Sequence, residues 1–243
     1  MNSKILIVFI VILIISNLIF IFTAIRYRCV VVERNKSYME TPSLPRYKNT
    51  NSVLKILQKN SHRYDHPTVF IGSSIIENWN FEKHFRNKSF INRGIGDDDS
   101  SAMLKRFEED VIGLKPKKVV IYLGANDIKK RLSSDQSKDN LKQMLKLSCE
   151  NKIDPLVLLF LPVNYKSNSA LRYTHLKNKM RALNEQLVNS CEQDNTAYID
   201  LFSTISKRDD FSELYLSDGI HLNDKGYQVL SSIVQQESDT EIK

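Results

Sequence analysis

The sequence predicts an α/β protein, a three-layer α/β/α sandwich on a five-stranded parallel sheet, preceded by one transmembrane helix. Three observations lead there. Short runs of β-branched, aliphatic and aromatic residues recur along the chain and stay apolar throughout instead of alternating, as strands buried on both faces do. Between them lie stretches whose apolar residues repeat at helical spacing. Ahead of both, Ile5 to Ile25 runs without a charge.

The amino-terminal run has Ser16, Asn17 and Thr23 as its only clearly polar members. At ~1.5 Å per residue its helix would cover about 30 Å, the thickness of a bilayer core. A cleaved secretory signal is the competing reading. The run exceeds the usual apolar core of roughly 7 to 15 residues, no small-x-small site precedes Arg26, and Cys29 follows Arg28, so a lipoprotein box is also unsupported. Residues 1–28 therefore read as an uncleaved anchor and 29–50 as a polar juxtamembrane linker carrying Pro42 and Pro45. The folded domain is expected over 51–236, with 237–243 a frayed acidic tail.

Within the domain, Leu54, Ile56 and Leu57 suggest a short helix. Strands are expected at Val69–Ile71, Phe90–Ile91, Val119–Leu123, Leu156–Phe160 and Tyr198–Ile199. Helical spacing appears at Met103, Leu104, Phe107 and Val111, at Leu141, Met144 and Leu145, and at Leu176, Met180, Leu183 and Leu187. Leu230, Ile233 and Val234 mark a closing helix. Strands alternating with helices make a parallel sheet covered on both sides.

Four patches stand at the edges of these elements: Gly72-Ser73-Ser74, Asn92-Arg93-Gly94, Gly124-Ala125-Asn126-Asp127 and Asp218-Gly219-Ile220-His221. Attack on an ester carbonyl needs a nucleophile, a base, a group that orients the base, and donors aimed where negative charge develops. Ser74, at a strand-to-helix turn, offers a hydroxyl and its own N–H. His221 suits a general base near neutral pH, and Asp218 lies three residues before it. Gly94 is expected to give a backbone N–H and Asn126 a side-chain amide, completing an oxyanion hole of Ser74, Gly94 and Asn126. Each patch also has a plain reading. Gly-Ser-Ser and Asn-x-Gly are ordinary turns, Asn126 or Asp127 would suit a helix N-cap, and Asp-x-x-His could be a solvated pair. Four such coincidences in this order are harder to account for than one shared site.

These patches resemble the SGNH hydrolases, the GDSL esterase/lipase family, whose four blocks contribute Ser, Gly, Asn and His in that order. Ser74, Gly94, Asn126 and His221 fall on those positions, and Asp218 on the Asp of Asp-x-x-His. The resemblance covers roughly 67–235 and is nearest to a bacterial subgroup with a Gly-Ser-Ser first block. It departs at Ser73, where the family has Asp, and Ser73 is thereby a second hydroxyl beside the expected nucleophile. The resemblance implies a serine esterase that removes small acyl groups, acetyl above all, through an acyl-Ser74 intermediate. The substrate class it implies is an O-acetylated glycan or a lipid ester, with the glycan preferred. An acyltransferase working on sugar hydroxyls and a noncatalytic carbohydrate-binding module stay open as alternatives.

Composition limits the remaining choices. The net charge is +7 over 243 residues, and without residues 1–28 it falls to +4, which calls for no nucleic-acid partner. Cys29, Cys149 and Cys191 are scattered singly and the other histidines, His62, His66, His84 and His175, form no ligand spacing, so neither a metal nor a cofactor is expected. Asp97-Asp98-Asp99 reads as a solvated turn and helix start. The loops Pro162–Ser169 and Arg208–Leu216 are expected to shape the pocket. Arg26, Arg28, Arg34 and Lys36 outnumber the charges before the span and favour a cytosolic domain by the positive-inside rule. Anchored members of the resembled family work outside the membrane, and an extracytoplasmic domain is the preferred expectation. The sequence leaves the oligomeric state open.

Overall fold

The computed structural model describes residues 67–85, 89–164 and 177–240, with side chains through Gln236. The expected span at 5–25, the linker at 29–50, the helix near Leu54, and His62, His66 and His175 all lie outside the described residues. Among the described residues no helix is long and apolar enough to cross a membrane.

Five parallel strands form one sheet in the order β2-β1-β3-β4-β5. They are β1 (Thr68–Gly72), β2 (Phe90–Gly94), β3 (Lys118–Tyr122), β4 (Asp154–Leu158) and β5 (Tyr198–Ile199). Nine helices accompany them among the described residues. In chain order these are α1 (Ser74–Glu77), α2 (Phe81–His84), α3 (Ser100–Lys105), α4 (Phe107–Asp110), α5 (Asn126–Lys129), α6 (Ser134–Glu150), α7 (Lys177–Gln193), α8 (Leu201–Ser206) and α9 (Asp224–Thr240).

The unbroken apolarity of the strands has its cause in the two cores. Val69, Ile71, Ile91, Val119, Ile121 and Val157 point to one face and pack with Met103, Phe107, Leu141, Met144, Met180, Leu183 and Leu187 from α3, α4, α6 and α7. Their neighbours Phe70, Val120, Tyr122, Leu156 and Leu158 point to the other and meet Ile75, Ile76, Trp79, Leu201, Ile205, Leu230 and Val234 from α1, α8 and α9 and the turn after α1. Period two in a strand with both faces covered gives the three layers that the sequence predicts.

Three local differences bear on function. Spacing alone joins Met103 to Val111 in one helix, whereas the chain breaks at Arg106, with φ −104° and ψ 4° between α3 and α4. The reason is the reach of that side chain, described below. The short helices α2, α5 and α8 are too brief to display a helical period, which is why periodicity does not reveal them. The closing helix runs to Thr240, past the expected domain end. Helix α6 starts at a Ser133-x-x-Gln136 capping box with both reciprocal bonds formed.

Helix α1 is a single turn, and an isolated turn has almost no stability of its own. Its lower end is held by an aromatic cluster in which the Phe70 ring meets Trp79, Phe81, Phe85 and Phe90 at centroid distances of 5.7, 4.6, 5.9 and 5.0 Å. Trp79 Nε1 donates to Ser231 Oγ (3.0 Å), and the Tyr227 hydroxyl donates to the Ile75 carbonyl (3.0 Å), tying α1 to α9. Phe70 is fully buried at the centre of this cluster. Phe70→Ala is expected to cost about 3 to 5 kcal/mol of stability, seen as a lower urea midpoint with an unchanged m-value.

Candidate active site

The strands end along one edge of the sheet, and the predicted site residues follow those ends. The sheet order reverses between β1 and β3, the crevice where open α/β sheets collect ligands. Ser73 and Ser74 follow β1, Gly94 closes β2, and Asn126 comes four residues after β3.

Ser73 is the N-cap of α1 in extended conformation (φ −96°, ψ −150°), and Ser74 is the first helical residue. Ser74 Oγ lies 3.0 Å from His221 Nε2. His221 Nδ1 lies 2.8 Å from Asp218 Oδ2, while Asp218 Oδ1 accepts the N–H groups of Ile220 (2.9 Å) and His221 (3.0 Å). An ionised carboxylate only accepts, so Nδ1 carries the hydrogen and Nε2 presents a lone pair to the serine hydroxyl. Burial works to raise the Asp218 pKa, but the His221 ring and the two backbone N–H groups hold the carboxyl well below the usual carboxylate range. The arrangement can pass a proton from Ser74 to His221 with Asp218 steadying the ring.

The loop carrying His221 is fixed from several directions. Gly219 takes φ 71°, a conformation that favours glycine. Its carbonyl accepts the Asn164 N–H (2.8 Å), and the Leu216 N–H donates to the His221 carbonyl (2.8 Å). Asn223 Nδ2 donates to the carbonyls of Glu213 (2.6 Å) and Tyr215 (3.2 Å). Residues 208–216 therefore act as a brace under the histidine, with a 3-10 turn at Phe211–Leu214. The part of the other expected pocket loop beyond Asn164 lies outside the described residues.

The two adjacent serines separate clearly. Ser74 meets His221, whereas Ser73 is buried. A Cβ placed on Gly124 would come within 3.2 Å of Ser73 Oγ, so that hydroxyl faces Gly124, just beyond the end of β3.

The expected oxyanion donors are placed differently from one another. Within the described residues the Ser74 N–H, at the first turn of α1, has no acceptor. Asn126 Nδ2 donates to the Asp98 carbonyl (2.9 Å), which orients the amide and leaves it one further hydrogen. Asn126 does not cap a helix; Ala125 holds the N-cap of α5, and the buried Asp127 accepts the Ser100 N–H (2.7 Å) across to α3. Gly94 departs from expectation, because its N–H donates to Asn92 Oδ1 (2.9 Å). A Cβ there would collide with the backbone of Ile76 and Glu77, so Gly94 serves the close approach of β2 to α1. The unanticipated partner is Asn92, whose amide also donates to the carbonyls of Ile76 (2.5 Å) and Trp79 (3.2 Å) at the end of α1.

The acidic run beside the site is turn and helix start, as its composition suggests. Asp99 caps α3 through the Ala102 N–H and pairs with Lys130 (3.0 Å). Asp97, at φ 64° and largely exposed, pairs with Lys129 (3.0 Å), whose bond holds its carboxyl low. Asp98 turns inward instead, to Arg106. The His84 side chain is little exposed and lies beside Asp224 and the Tyr227 ring in the α2–α9 contact. Among the described residues no group of three or more His, Cys, Asp and Glu side chains is placed to hold a metal ion.

Residues 70–229 match the model of the GDSL-like lipase/acylhydrolase family. A GDSL esterase/lipase of Arabidopsis thaliana, CPRD49, is 26% identical over 193 residues, covering 67% of this chain and 75% of that protein. A GDSL-like lipase from Bacteroides thetaiotaomicron shares the fold with a TM-score of 0.64 at 24% identity, over 77% of this chain and 97% of the other. An acetylxylan esterase from Geobacillus stearothermophilus, solved as a catalytic mutant, does so with a TM-score of 0.56 at 15% identity, over 71% and 94%.

The Asp218 carboxylate gives a pH test. Its folded pKa lies below its unfolded value of about 4, so its contribution to stability is present above that pH and is lost as pH falls toward the folded pKa. The stability difference between wild type and Asp218→Asn, measured by urea unfolding, is expected to be greatest near neutrality and to shrink steadily below pH ~4.

Proposed function

From the premise that this chain belongs to the GDSL-like lipase/acylhydrolase family, and is a carboxylic ester hydrolase, we propose that it removes small acyl groups through an acyl-Ser74 intermediate. The observation that carries this reading is the continuous chain from Ser74 Oγ through His221 to the Asp218 carboxylate. Ser74 Oγ attacks the acyl carbon while its proton passes to His221 Nε2. The tetrahedral intermediate collapses as that proton moves to the departing alcohol. A water then gives its proton to the same nitrogen and attacks the acyl-serine; as the second tetrahedral intermediate collapses, His221 returns that proton to Ser74 Oγ and the acid is released. Asp218 keeps Nδ1–H in place and stabilises the imidazolium. The oxygen that becomes negative lies between the Ser74 N–H and the free hydrogen of Asn126 Nδ2 in this reading; Gly94 joins them only when its N–H leaves Asn92.

The preferred substrate is an O-acetylated carbohydrate. The uncharged run at 5–25 supports a membrane anchor; in this proposal the domain stands on the extracytoplasmic side, where surface glycans are within reach. An acetylxylan esterase among the proteins of the same fold is in keeping with this class.

Hydrolysis of p-nitrophenyl acetate and labelling by a fluorophosphonate, on the full chain in detergent, test the mechanism. Ser74→Ala is expected to lower kcat by at least about 10⁴-fold and to abolish labelling. Ser73→Ala should stay within a few-fold of wild type, and Asn126→Ala should lose about 10²- to 10³-fold. Labelling that survives Ser74→Ala, or a wild type inert to every ester tried, would remove the reading. For the anchor, the full chain is expected to sediment with membranes after an alkaline wash and to be cleaved by protease added to intact cells. A chain lacking residues 1–28 should remain in the supernatant.

A further inference from the structure

We propose that Arg106 is a positioning residue for this site, its guanidinium setting the Ser74 turn and the Asn126 amide at their working separation. This rests on the esterase reading above. Arg106 stands at the break between α3 and α4, and its side chain is 15% exposed. Its donors reach four acceptors on four segments. Nη2 donates to the Gly72 carbonyl (3.1 Å), one residue before the Ser73-Ser74 turn. Nη1 donates to the Arg93 carbonyl (2.8 Å) near the end of β2, and to Asp110 Oδ2 (2.6 Å). Nε donates to Asp98 Oδ2 (2.7 Å).

Two of these bonds lead directly to site residues. Gly72 is covalently next to the turn that carries Ser74, and its carbonyl also accepts the Ile95 N–H (3.0 Å). Asp98 is held by its side chain to Arg106 while its own carbonyl holds Asn126 Nδ2. One planar group therefore joins the hydroxyl side of the site to the amide side.

Charge balance lets such a group sit where it does. Asp110 pairs with both Arg93 and Arg106, and Asp98 pairs with Arg106, so two cations face two anions. Buried networks of this kind add little net stability, and fixing geometry is their better-attested use. The fork shape matters as much as the charge. A lysine would restore one positive point charge without the four directed bonds that arginine makes here.

This separates positioning from mere charge compensation. In the full chain in detergent, Arg106→Lys is expected to fold, to keep KM for p-nitrophenyl acetate within about threefold, and to lose up to about 10²-fold in kcat, the scale of a small misplacement. Asp98→Asn, which keeps the backbone carbonyl but weakens the clamp, should lose kcat in the same direction, and serves should the lysine variant fail to fold. Combined with Asn126→Ala, either change should cost much less than the product of the separate losses, because both act through one amide. Hydrogen exchange should quicken over residues 94–100 and 126–130 and stay unchanged over 144–158. Wild-type kcat in folded Arg106→Lys, strictly multiplicative losses with Asn126→Ala, or unaltered exchange over 94–100 would each overturn the proposal. If the wild type itself shows no Ser74-dependent turnover, the esterase reading fails and the exchange data alone judge the clamp.

Discussion

The site depends on how closely one helical turn lies against two strand ends. Helix α1 begins two residues after Gly72, and its backbone at Ile76 and Glu77 presses on Gly94 at the end of β2, where any Cβ would intrude. Gly72 likewise has no room for a side chain against Ile76 and Tyr122. This approach turns Ser74 sharply out of the sheet and points its hydroxyl along the edge toward His221. Four residues of helix cannot hold that position alone, so the surroundings do it. Asn92 binds two carbonyls at the helix end, and Trp79 and Tyr227 lock the same turn to α9.

Electrostatics then decides which groups are ready to react. Asp218 spends both oxygens on His221 and its own loop, so the carboxylate is ionised across the range in which a histidine works and never competes for the Ser74 proton. The three aspartates of the acidic run are each paired with a cation. Asp97 goes to Lys129, Asp99 to Lys130, and Asp98 to Arg106. These partners leave the Ser74 N–H and the second Asn126 hydrogen as uncommitted donors at the strand ends. Preorganised donors are useful because they need no rearrangement when negative charge forms.

The strands and the Ser74, His221 and Asp218 constellation were legible in the sequence because each leaves a local mark. Val69-Phe70-Ile71 is unmistakably a strand buried on both faces, and Asp218 and His221 are close in the chain as well as in space. Gly94 shows where legibility stops. A glycine announces a close approach but not what approaches, and here it is the backbone of α1, while the N–H expected of Gly94 is bound to Asn92. The role of Asn92, and Arg106 altogether, were missed for a related reason. Their partners are main-chain carbonyls at strand and helix ends, and a carbonyl has no residue identity to read. Arg106 also breaks a helix whose apolar spacing continues through it, so pattern and contact pull in opposite directions there. The run at 5–25 is as plain a signal as the strands, but it is read from composition alone.

The two faces of the sheet contribute unequal parts of the chemistry. Ser74 belongs to the layer of α1 and α9, whose side chains share the core around Phe70 and Trp79, while His221 lies between Leu222 on that core and Ile220 on the opposite one. Asn126 begins α5, which packs through Ile128 against the opposite core. The distance from Ser74 to the Asn126 amide therefore spans the two layers. Only groups that cross the sheet edge can hold that distance, and Arg106 does so from the second layer by binding the Gly72 carbonyl ahead of the serine turn. In the proposed reading the sheet edge therefore has two tasks: it opens a crevice for substrate, and it is stapled across so that the Asn126 amide stays in register with Ser74.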